Sequence, residues 1–452
     1  MIYYVTVMKK GIVISFLLAV TLFVGGTTSE NIVVNIAASD STVGVATSAN
    51  IARGAAPENI VRSTSSENIK DSGTYFAAKA VASYVEKGIL PGVISVFYNN
   101  GVQEVTCAGY ADVELKRPIN FDNAFMQCSQ SKGFCGVTIA ILVEEGRLNL
   151  DDPVAKYLPE FEKLWVLDSD TNGVRRLVRA KNALTVRHVM NHTGGYPLEL
   201  PNYQAMGGIA RRMPLRSVAA MAATMPLEFE PGTKARYSNL GIDIGAAIVE
   251  VIAGKRWEDF LKERVLDPLG MNSTWYKPTD DQVANKIELY EVDGESVAKW
   301  CEDNFLFARP YNGDRIFPSA GGGLWTTVND QLKFYKMLMN LGAGENGVRI
   351  LKEQTVKEIL AKSTRPKGFE GYSLGLRAPE RDGDDKWFGH GGAWGTNCMV
   401  NWHKRQLKLI AVQCCGPKKK KGWVKAVNKA ADKFFGTKID NSGVDAYTGR
   451  IN

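Results

Sequence analysis

Several patterns that mark common enzyme classes are missing from this sequence of 452 residues. No C-x-x-C pair occurs, and the H-E-x-x-H motif of zinc peptidases fails because Val189 follows His188 where its glutamate would stand. The G-x-S-x-G elbow of α/β-hydrolases is also missing. We therefore expect no metal site and no organic cofactor, and expect His188 and His192 to cap and pack a helix end.

Clustered charge and a cysteine framework are lacking as well. The formal net charge is +7, with basic residues spread along the chain except for a run at 418–421. A nucleic-acid footprint needs a clustered basic face, so we interpret the run as a solvated turn and expect no nucleic-acid partner.

The cysteines are odd in number, and their spacings define no scaffold held together by disulfide bonds. Most should be buried small side chains. The seven are Cys107, Cys128, Cys135, Cys301, Cys398, Cys414 and Cys415.

The N-terminal region carries a targeting pattern. Lys9 and Lys10 precede an uncharged stretch over residues 11–26 that is rich in Ile, Leu, Val and Phe. This stretch is short for a bilayer span of about 20 residues, and small residues follow it. We expect a signal peptide over residues 1–29, cleaved near its end, and an exported protein without a stable membrane span. The alternative is an uncleaved membrane anchor.

Composition divides the rest of the chain into three parts. Residues 30–72 are rich in Ser, Ala, Asn and Thr without a sustained period, which predicts a disordered leader. Residues 73–437 are predicted to form one compact domain, and residues 438–452 a C-terminal tail.

Local patterns predict strands and helices at both ends of this domain. The turn Asn99-Asn100-Gly101 joins two apolar runs, which indicates a β-hairpin. A second hairpin is expected over residues 397–414. The spacing of apolar residues predicts a first helix near Phe76 and a last helix over Trp423–Phe435. Between the hairpins we expect helices near 133–145, 186–190, 217–223 and 241–252, with Thr185 as an N-cap and a stop at Gly194-Gly195.

The segment Cys128-Ser129-Gln130-Ser131-Lys132 carries the most informative chemistry. Ser129 and Lys132 are three residues apart, so on a helix they share one face. A serine hydroxyl becomes a good nucleophile when a nearby base takes its proton, and a lysine amine can do this if burial lowers its pKa. The start of a helix also favours the negative charge of an acyl-transfer intermediate.

Other segments place this motif in a recognisable order. The stretches 142–154, 157–161 and 184–195 follow it, and then comes Phe229-Glu-Pro-Gly-Thr-Lys-Ala-Arg-Tyr-Ser-Asn239. Together they resemble the serine penicillin-recognising family, which includes class C β-lactamases, D-Ala-D-Ala carboxypeptidases and family VIII esterases. The resemblance implies that Tyr237 relays protons with Lys132 and that Asn239 helps to hold the substrate.

The segment Gly389-His-Gly-Gly-Ala-Trp-Gly395 resembles the third motif of that family. The resemblance implies that His390, Gly391 and Gly392 line the substrate site, and that the backbone N–H groups of Ser129 and Ala393 form an oxyanion hole. Many β-lactamases have Lys-Thr-Gly where this chain has His-Gly-Gly. The fixed charge and hydroxyl that could bind a β-lactam carboxylate are therefore missing, and we expect His390 to orient Tyr237 or to donate a hydrogen bond.

The resemblance implies an α/β (α+β) fold of the β-lactamase/transpeptidase type, with an antiparallel sheet flanked by helices and an inserted all-helical lobe. The glycine-rich stretch 317–330 resembles a family segment that lines the site. The predicted function is a serine hydrolase that attacks an ester, a D-amino-acid peptide or, with less support, a β-lactam through a Ser129 acyl-enzyme. The alternatives are a true β-lactamase and a catalytically inactive member that binds cell-wall material or peptides.

Overall fold

The structure, a computed structural model, describes residues 2–9, 12–19, 70–71, 75–200, 213–293, 296–299, 317–380, 383–415 and 421–437. Its strands are β1 (Ile2–Lys9), β2 (Ile12–Ala19), β3 (Lys70–Asp71), β4 (Gly92–Asn99), β5 (Val102–Asp112), β6 (Arg117–Pro118), β7 (Phe125–Met126), β8 (Trp165–Thr171), β9 (Val174–Arg179), β10 (Tyr290–Asp293), β11 (Ser296–Lys299), β12 (Trp325–Thr326), β13 (Phe388–Gly391), β14 (Asn397–Asn401), β15 (Gln406–Ala411) and β16 (Cys414–Cys415). Its α-helices are α1 (Phe76–Glu86), α2 (Ser131–Glu144), α3 (Val186–Met190), α4 (Leu215–Ala223), α5 (Asn239–Ala253), α6 (Trp257–Leu261), α7 (Asp280–Ala284), α8 (Val328–Met339), α9 (Glu353–Thr355) and α10 (Lys421–Phe435).

The first two strands form a hairpin of their own near the N-terminus. Strand β1 pairs antiparallel with β2, so that Ile2 faces Ala19 and Lys9 faces Ile12. Both strands belong to the predicted signal peptide, and its cleavage stays a prediction. Among the residues that the structure describes, no helix has the length and apolar character needed to cross a bilayer.

One main sheet joins the two ends of the domain. Its order is β13-β14-β15-β4-β5-β3, and β6 pairs with β5 at the end of that strand. Strand β15 lies antiparallel to β4, which places the two predicted hairpins side by side and confirms both. The turn between β4 and β5 contains Asn100 at φ 44° and Gly101 at φ 93°. Two successive left-handed residues are the geometry that an Asn-Gly hairpin turn favours.

The first and last helices pack against each other beside this sheet. Val81 and Val85 of α1 share an apolar cluster with Val93 and Phe97 of β4. Helix α10 contributes its predicted stripe, of which Trp423, Val427, Ala430 and Ala431 are buried and Phe434 is partly buried. The stripe therefore fixes the C-terminal helix on the sheet, as its spacing predicts.

Among the residues described between β6 and β13, most of the regular secondary structure is helical, with the buried helices α2 and α5. Most residues of both helices are buried, and apolar side chains accordingly occupy nearly every side of each helix. The insertion is not all-helical, however, because β8 and β9 form a hairpin within it. Asn172 and Gly173 make its turn at φ 54° and φ 77°. The sequence analysis missed this hairpin because its strands are largely exposed and lack a clear apolar alternation.

The start and end of α3 follow the prediction, whereas part of the leader does not. Thr185 caps α3, and His188 completes its capping box. The helix spans Val186–Met190 as predicted, and the chain then turns at His192 with φ 66°, shortly before Gly194-Gly195. Strand β3 lies inside the predicted disordered leader and pairs parallel with β5, through backbone hydrogen bonds that no side-chain pattern reveals. Apart from β3, the predicted leader lies outside the described residues, as do residues 20–29 of the predicted signal peptide and the tail 438–452.

Candidate active site

Ser129 lies in a short turn that joins a buried strand to a buried helix. The 3-10 turn Cys128–Gln130 follows β7 and leads directly into α2. Cys128 adopts a left-handed backbone at φ 50°, which costs energy for a residue with a side chain. Such strained residues cluster at functional sites, where the surrounding structure holds them in place. Here the turn places Ser129 at the start of α2, with 4% of its surface exposed.

Lys132 lies one helical turn further along and points back to the serine. Its Nζ donates a hydrogen bond to Ser129 Oγ at 3.0 Å and another to the carbonyl oxygen of Gly321. The side chain has no exposed surface. Burial lowers the pKa of Lys132 to about 7, so near neutral pH much of it is an uncharged amine. An amine of this kind can accept the proton of the serine hydroxyl.

Nearby charges modify this effect in both directions. Asp243 and Glu199 favour the charged form of Lys132 and raise its pKa, whereas Arg377 lowers it further. Burial also raises the pKa of Asp243 to about 7. The two buried groups therefore titrate in the same pH range and affect each other's charge.

Tyr237 stands beside the lysine, just before α5. Lys132 Nζ is 4.8 Å from the centroid of the Tyr237 ring. The peptide groups on either side of the tyrosine are held by one residue: Arg236 donates its N–H to the carbonyl oxygen of His192 at 2.9 Å, and Ser238 donates its N–H to His192 Nδ1 at 3.2 Å. The His192 ring lies against the Tyr237 ring, with centroids 4.4 Å apart. His192 therefore fixes both the backbone and the ring of Tyr237.

His192 ends α3 as expected, and its ring has a further role. It follows the C-cap residue Asn191 in a left-handed conformation at φ 66°, and Thr193 donates its N–H to the carbonyl oxygen of His188 at 3.0 Å. The Nδ1 atom of His192 accepts a backbone N–H, so the proton of the neutral ring resides on Nε2. Burial lowers the pKa of His192 well below its usual value, which keeps the ring uncharged. His192 lies in the segment 184–195, which resembles the family segment before the second motif, but that resemblance alone assigned it no contact with Tyr237.

Asn239 is the first residue of α5 and is buried. Its Nδ2 donates to Glu199 Oε1 at 3.1 Å. Within the described part of the chain, Asn239 Oδ1 has no hydrogen-bond partner. An acceptor of this kind can receive an N–H group from a bound molecule. Burial raises the pKa of Glu199, so the carboxyl group that holds Asn239 carries its charge less readily than an exposed one.

The third motif lies against the turn that carries Ser129. Gln130 donates its side-chain N–H to the carbonyl oxygen of His390 at 3.1 Å. A Cβ atom at Gly392 would lie 2.4 Å from the carbonyl oxygen of Gln127, so only glycine fits there. Gly391, the last residue of β13, pairs with Asn397 of β14. The structure thus brings the segment before Ala393 next to the turn of Ser129.

His390 does not orient Tyr237 by a direct hydrogen bond. Its Nδ1 is 2.5 Å from the carbonyl oxygen of Gly391 and its Nε2 is 2.8 Å from Tyr372 Oη. Because a carbonyl only accepts, Nδ1 carries the proton and Nε2 accepts from the tyrosine hydroxyl. Burial lowers the pKa of His390 well below its usual value. The site therefore has a neutral imidazole where many β-lactamases have a lysine.

Three residues of this site were missed by the sequence analysis or given no role beyond lining. Tyr372 lies 18 residues before His390, which it bonds, and Asp243 lies 78 residues before Gly321, which it bonds. Gly321 belongs to the glycine-rich stretch that was expected only to line the site, yet it bonds Lys132 directly. Across the residues that the structure describes, no group of three or more His, Cys, Asp or Glu side chains is arranged to hold a metal ion.

The sequence comparisons identify the family. A family model described as Beta-lactamase matches residues 77–431, and the chain belongs to this family of serine hydrolases. Protein Rv1367c of Mycobacterium tuberculosis (strain ATCC 25618 / H37Rv) is 29% identical over 287 residues, which cover 62% of this chain and 69% of that protein. A protein of Escherichia coli (strain K12), provisionally named a D-alanyl-D-alanine carboxypeptidase, is 26% identical over 249 residues, 52% of this chain and 54% of its own length.

Solved structures show the same fold. EstCE1, described as a hydrolase with promiscuous acyltransferase activity, superposes with a TM-score of 0.62 at 21% identity, covering 79% of this chain and 97% of EstCE1. A D-stereospecific amidohydrolase from Streptomyces sp. superposes with a TM-score of 0.56 at 20% identity, covering 78% of this chain and 97% of the amidohydrolase. The predicted fold class is thereby confirmed.

Proposed function

We propose that this protein hydrolyses an ester or amide bond through a covalent acyl-enzyme on Ser129. One observation carries the proposal: the buried Lys132 amine lies 3.0 Å from Ser129 Oγ. Lys132 takes the serine proton as the oxygen attacks the carbonyl carbon, and the N–H groups of Ser129 and Ala393 receive the negative charge on the carbonyl oxygen. Tyr237 gives its proton to the leaving group and recovers one from Lys132, so both groups end acylation in their starting states. Water then attacks the acyl carbon, losing a proton to this pair, which returns a proton to Ser129 Oγ as the acyl group leaves as an acid.

Small neutral esters or D-amino-acid peptides are the proposed substrates rather than β-lactams. His390 is neutral and bonded to Tyr372, so it supplies no fixed positive charge to a β-lactam carboxylate. Asn239 Oδ1 can accept an N–H of the substrate, and Gly391 and Gly392 let the substrate approach the backbone of β13 closely. A fold shared with EstCE1 and with a D-stereospecific amidohydrolase is consistent with both substrate classes.

Turnover of p-nitrophenyl butyrate by wild type and Ser129→Ala tests this proposal. We expect hydrolysis by the wild type and a loss of about 1,000-fold or more in kcat/KM in the variant. Parallel assays with a D-alanyl peptide and with nitrocefin rank the substrate classes, and we expect the lactam to be the poorest. A well-folded wild type that turns over none of the three would favour the inactive binding member.

We also propose that the chain is exported and that residues 73–437 form its catalytic domain. The support is the pair Lys9 and Lys10 followed by an uncharged apolar stretch, and a family match that lies inside the proposed domain. Expression in a bacterial host with separation of the periplasm and intact-mass measurement tests export. A mature chain that starts near residue 27 is expected, and a full-length cytoplasmic chain would contradict it.

A further inference from the structure

Asp243 is a buried carboxyl group on a helix that is otherwise apolar at its centre. It lies one turn after Asn239 on α5, with 4% of its surface exposed, between the buried Ile242 and Ile244. Burying a carboxylate is costly in free energy unless hydrogen bonds satisfy its oxygens. Its contacts therefore show what the residue holds in place.

The Asp243 carboxylate fixes the glycine-rich loop that precedes β12. Oδ1 accepts the backbone N–H of Gly321 at 3.0 Å, and the Ser319 hydroxyl donates to Oδ1 at 3.1 Å or Oδ2 at 3.3 Å. A Cβ atom at Gly321 would lie 2.8 Å from Asn239 Cβ. The loop thus reaches the first turn of α5 only because residue 321 is a glycine, and Asp243 holds it there.

The same loop residue holds the lysine. The carbonyl oxygen of Gly321 accepts a hydrogen bond from Lys132 Nζ, which also donates to Ser129 Oγ at 3.0 Å. Gly321 is therefore bonded to Asp243 through its N–H and to Lys132 through its carbonyl. Four residues form a chain of hydrogen bonds that ends on the serine hydroxyl: Asp243, Gly321, Lys132 and Ser129.

We propose that Asp243 is a positioning residue for acyl transfer, which fixes Gly321 so that its carbonyl oxygen directs the Lys132 amine at Ser129. This inference rests on the proposed function of Ser129. It assigns to Asp243 two separable effects, one of geometry through the loop and one of charge on the lysine.

The charge effect has a definite sign. An ionised Asp243 favours the ammonium form of Lys132 and raises its pKa, opposing the effect of burial. The base must be uncharged to take the serine proton, so removing this negative charge should move the acid limb of kcat/KM to lower pH. Other groups around Lys132 stay in place in such a variant; they are Glu199, Arg377, Cys128, Tyr237, His192 and His390.

Two substitutions separate geometry from charge. Asp243→Asn keeps an oxygen that can accept the Gly321 N–H but removes the charge, whereas Asp243→Ala removes both. Glu250→Gln is the matched control, because Glu250 lies on the same helix and its Oε1 accepts the backbone N–H of Trp257 at 3.0 Å. Hydrolysis of p-nitrophenyl butyrate is measured from pH 5 to 9 for each variant, with thermal unfolding to confirm folding.

We expect Asp243→Ala to lose about 100-fold in kcat, the order of loss that a shift of about 1 Å in a reacting group causes. Asp243→Asn should stay within about tenfold of wild type in kcat while its acid limb moves down by about half a pH unit or more. Glu250→Gln should match the wild type. A wild-type kcat in Asp243→Ala, or an unmoved acid limb in Asp243→Asn, would overturn the inference.

Crystal structures of both Asp243 variants give a readout that does not depend on turnover. The inference predicts that Gly321 leaves Lys132 in Asp243→Ala and stays bonded to it in Asp243→Asn. A loop that keeps its place in Asp243→Ala contradicts the inference alone. Failure of the wild type to turn over any ester, peptide or lactam contradicts the proposed function, while the loop positions still test whether Asp243 holds Gly321.

Discussion

Among the residues that the structure describes, two lysines are fully buried, and only one of them lies beside a nucleophile. Lys132 is on α2 and Lys408 is on β15, and both have no exposed surface. Burial lowers the pKa of Lys132 to about 7 and the pKa of Lys408 to about 8. A depressed lysine pKa is therefore not by itself a sign of catalysis in this fold.

The neighbours of the two lysines distinguish them. Lys408 Nζ donates to Asn428 Oδ1 at 3.0 Å, and Asp432 raises the pKa of Lys408; both partners are on α10. Lys132 instead donates to a serine hydroxyl and to a loop carbonyl. Lys408 thus joins the sheet to the terminal helix, whereas Lys132 has a group that it can deprotonate.

Replacing each lysine by methionine should give the largest difference in activity between the two sites. Lys132→Met keeps the length of the side chain but removes the amine, so kcat/KM for an ester should fall by about 1,000-fold. Lys408→Met makes the same chemical change far from Ser129 and should keep kcat/KM within about twofold. Steady-state kinetics on both purified variants checks the pair. Equal losses in the two variants would show that a buried lysine is needed only for folding.

Substitution of His192 should lower kcat by an intermediate amount, because His192 positions Tyr237. His192→Phe keeps an aromatic ring against Tyr237 but removes the acceptor of the Ser238 N–H, whereas His192→Asn keeps an acceptor near the position of Nδ1. We expect kcat to fall by about 10- to 100-fold in His192→Phe and by less in His192→Asn, with smaller changes in KM.

The control for this pair is thermal unfolding, because both substitutions change a buried residue. If His192→Phe keeps wild-type kcat, the hydrogen bond to Ser238 does not position Tyr237. If both variants lose activity only in proportion to the unfolded fraction, the role of His192 is in stability.

The smallest expected effect concerns stability and pH. Lys408 loses its proton near pH 8 in the folded protein, while an unfolded lysine stays protonated to about pH 10.4. Above pH 8 the unfolded state therefore binds more protons at this site, and the free energy of unfolding rises with pH. Between pH 8 and 9 the wild type should gain about 1 kcal/mol relative to Lys408→Met. Urea unfolding at the two pH values measures this difference, and identical changes in both proteins would contradict it.

Local spacing predicted the residues near the nucleophile well. Ser129 and Lys132 are three apart, and the structure bonds them across one helical turn. Tyr237 and Asn239 were placed by family resemblance, and the structure brings Tyr237 next to Lys132. Their catalytic roles stay predictions.

Contacts between distant segments could not be predicted in the same way. The bond from Asp243 to Gly321 spans 78 positions, and the bond from Lys132 to Gly321 spans 189. Neither depends on a periodic pattern; both follow from how α2, α5 and the glycine-rich loop pack. The hydrogen bond between His390 and Tyr372 was not predicted either, because Tyr372 lies outside the motifs.

The fold followed from turn residues and apolar spacing where these were strong. Asn100 and Gly101 marked the first hairpin, and the stripe of α10 marked the last helix. Asn172 and Gly173 carried the same turn signal for β8 and β9, but exposed strands gave no apolar alternation beside it. For this hairpin, the Asn-Gly turn is a better predictor than the apolar periodicity of the strands.

A covalent label on Ser129 tests the central claim most directly. The purified protein is treated with a stoichiometric fluorophosphonate, its intact mass is recorded, and the modified peptide is sequenced by mass spectrometry, with Ser129→Ala and Lys408→Met alongside. The account predicts one adduct on Ser129 in the wild type and in Lys408→Met, and no adduct in Ser129→Ala. A folded wild type that stays unlabelled, or an adduct that persists in Ser129→Ala, would contradict the assignment of Ser129 as the nucleophile.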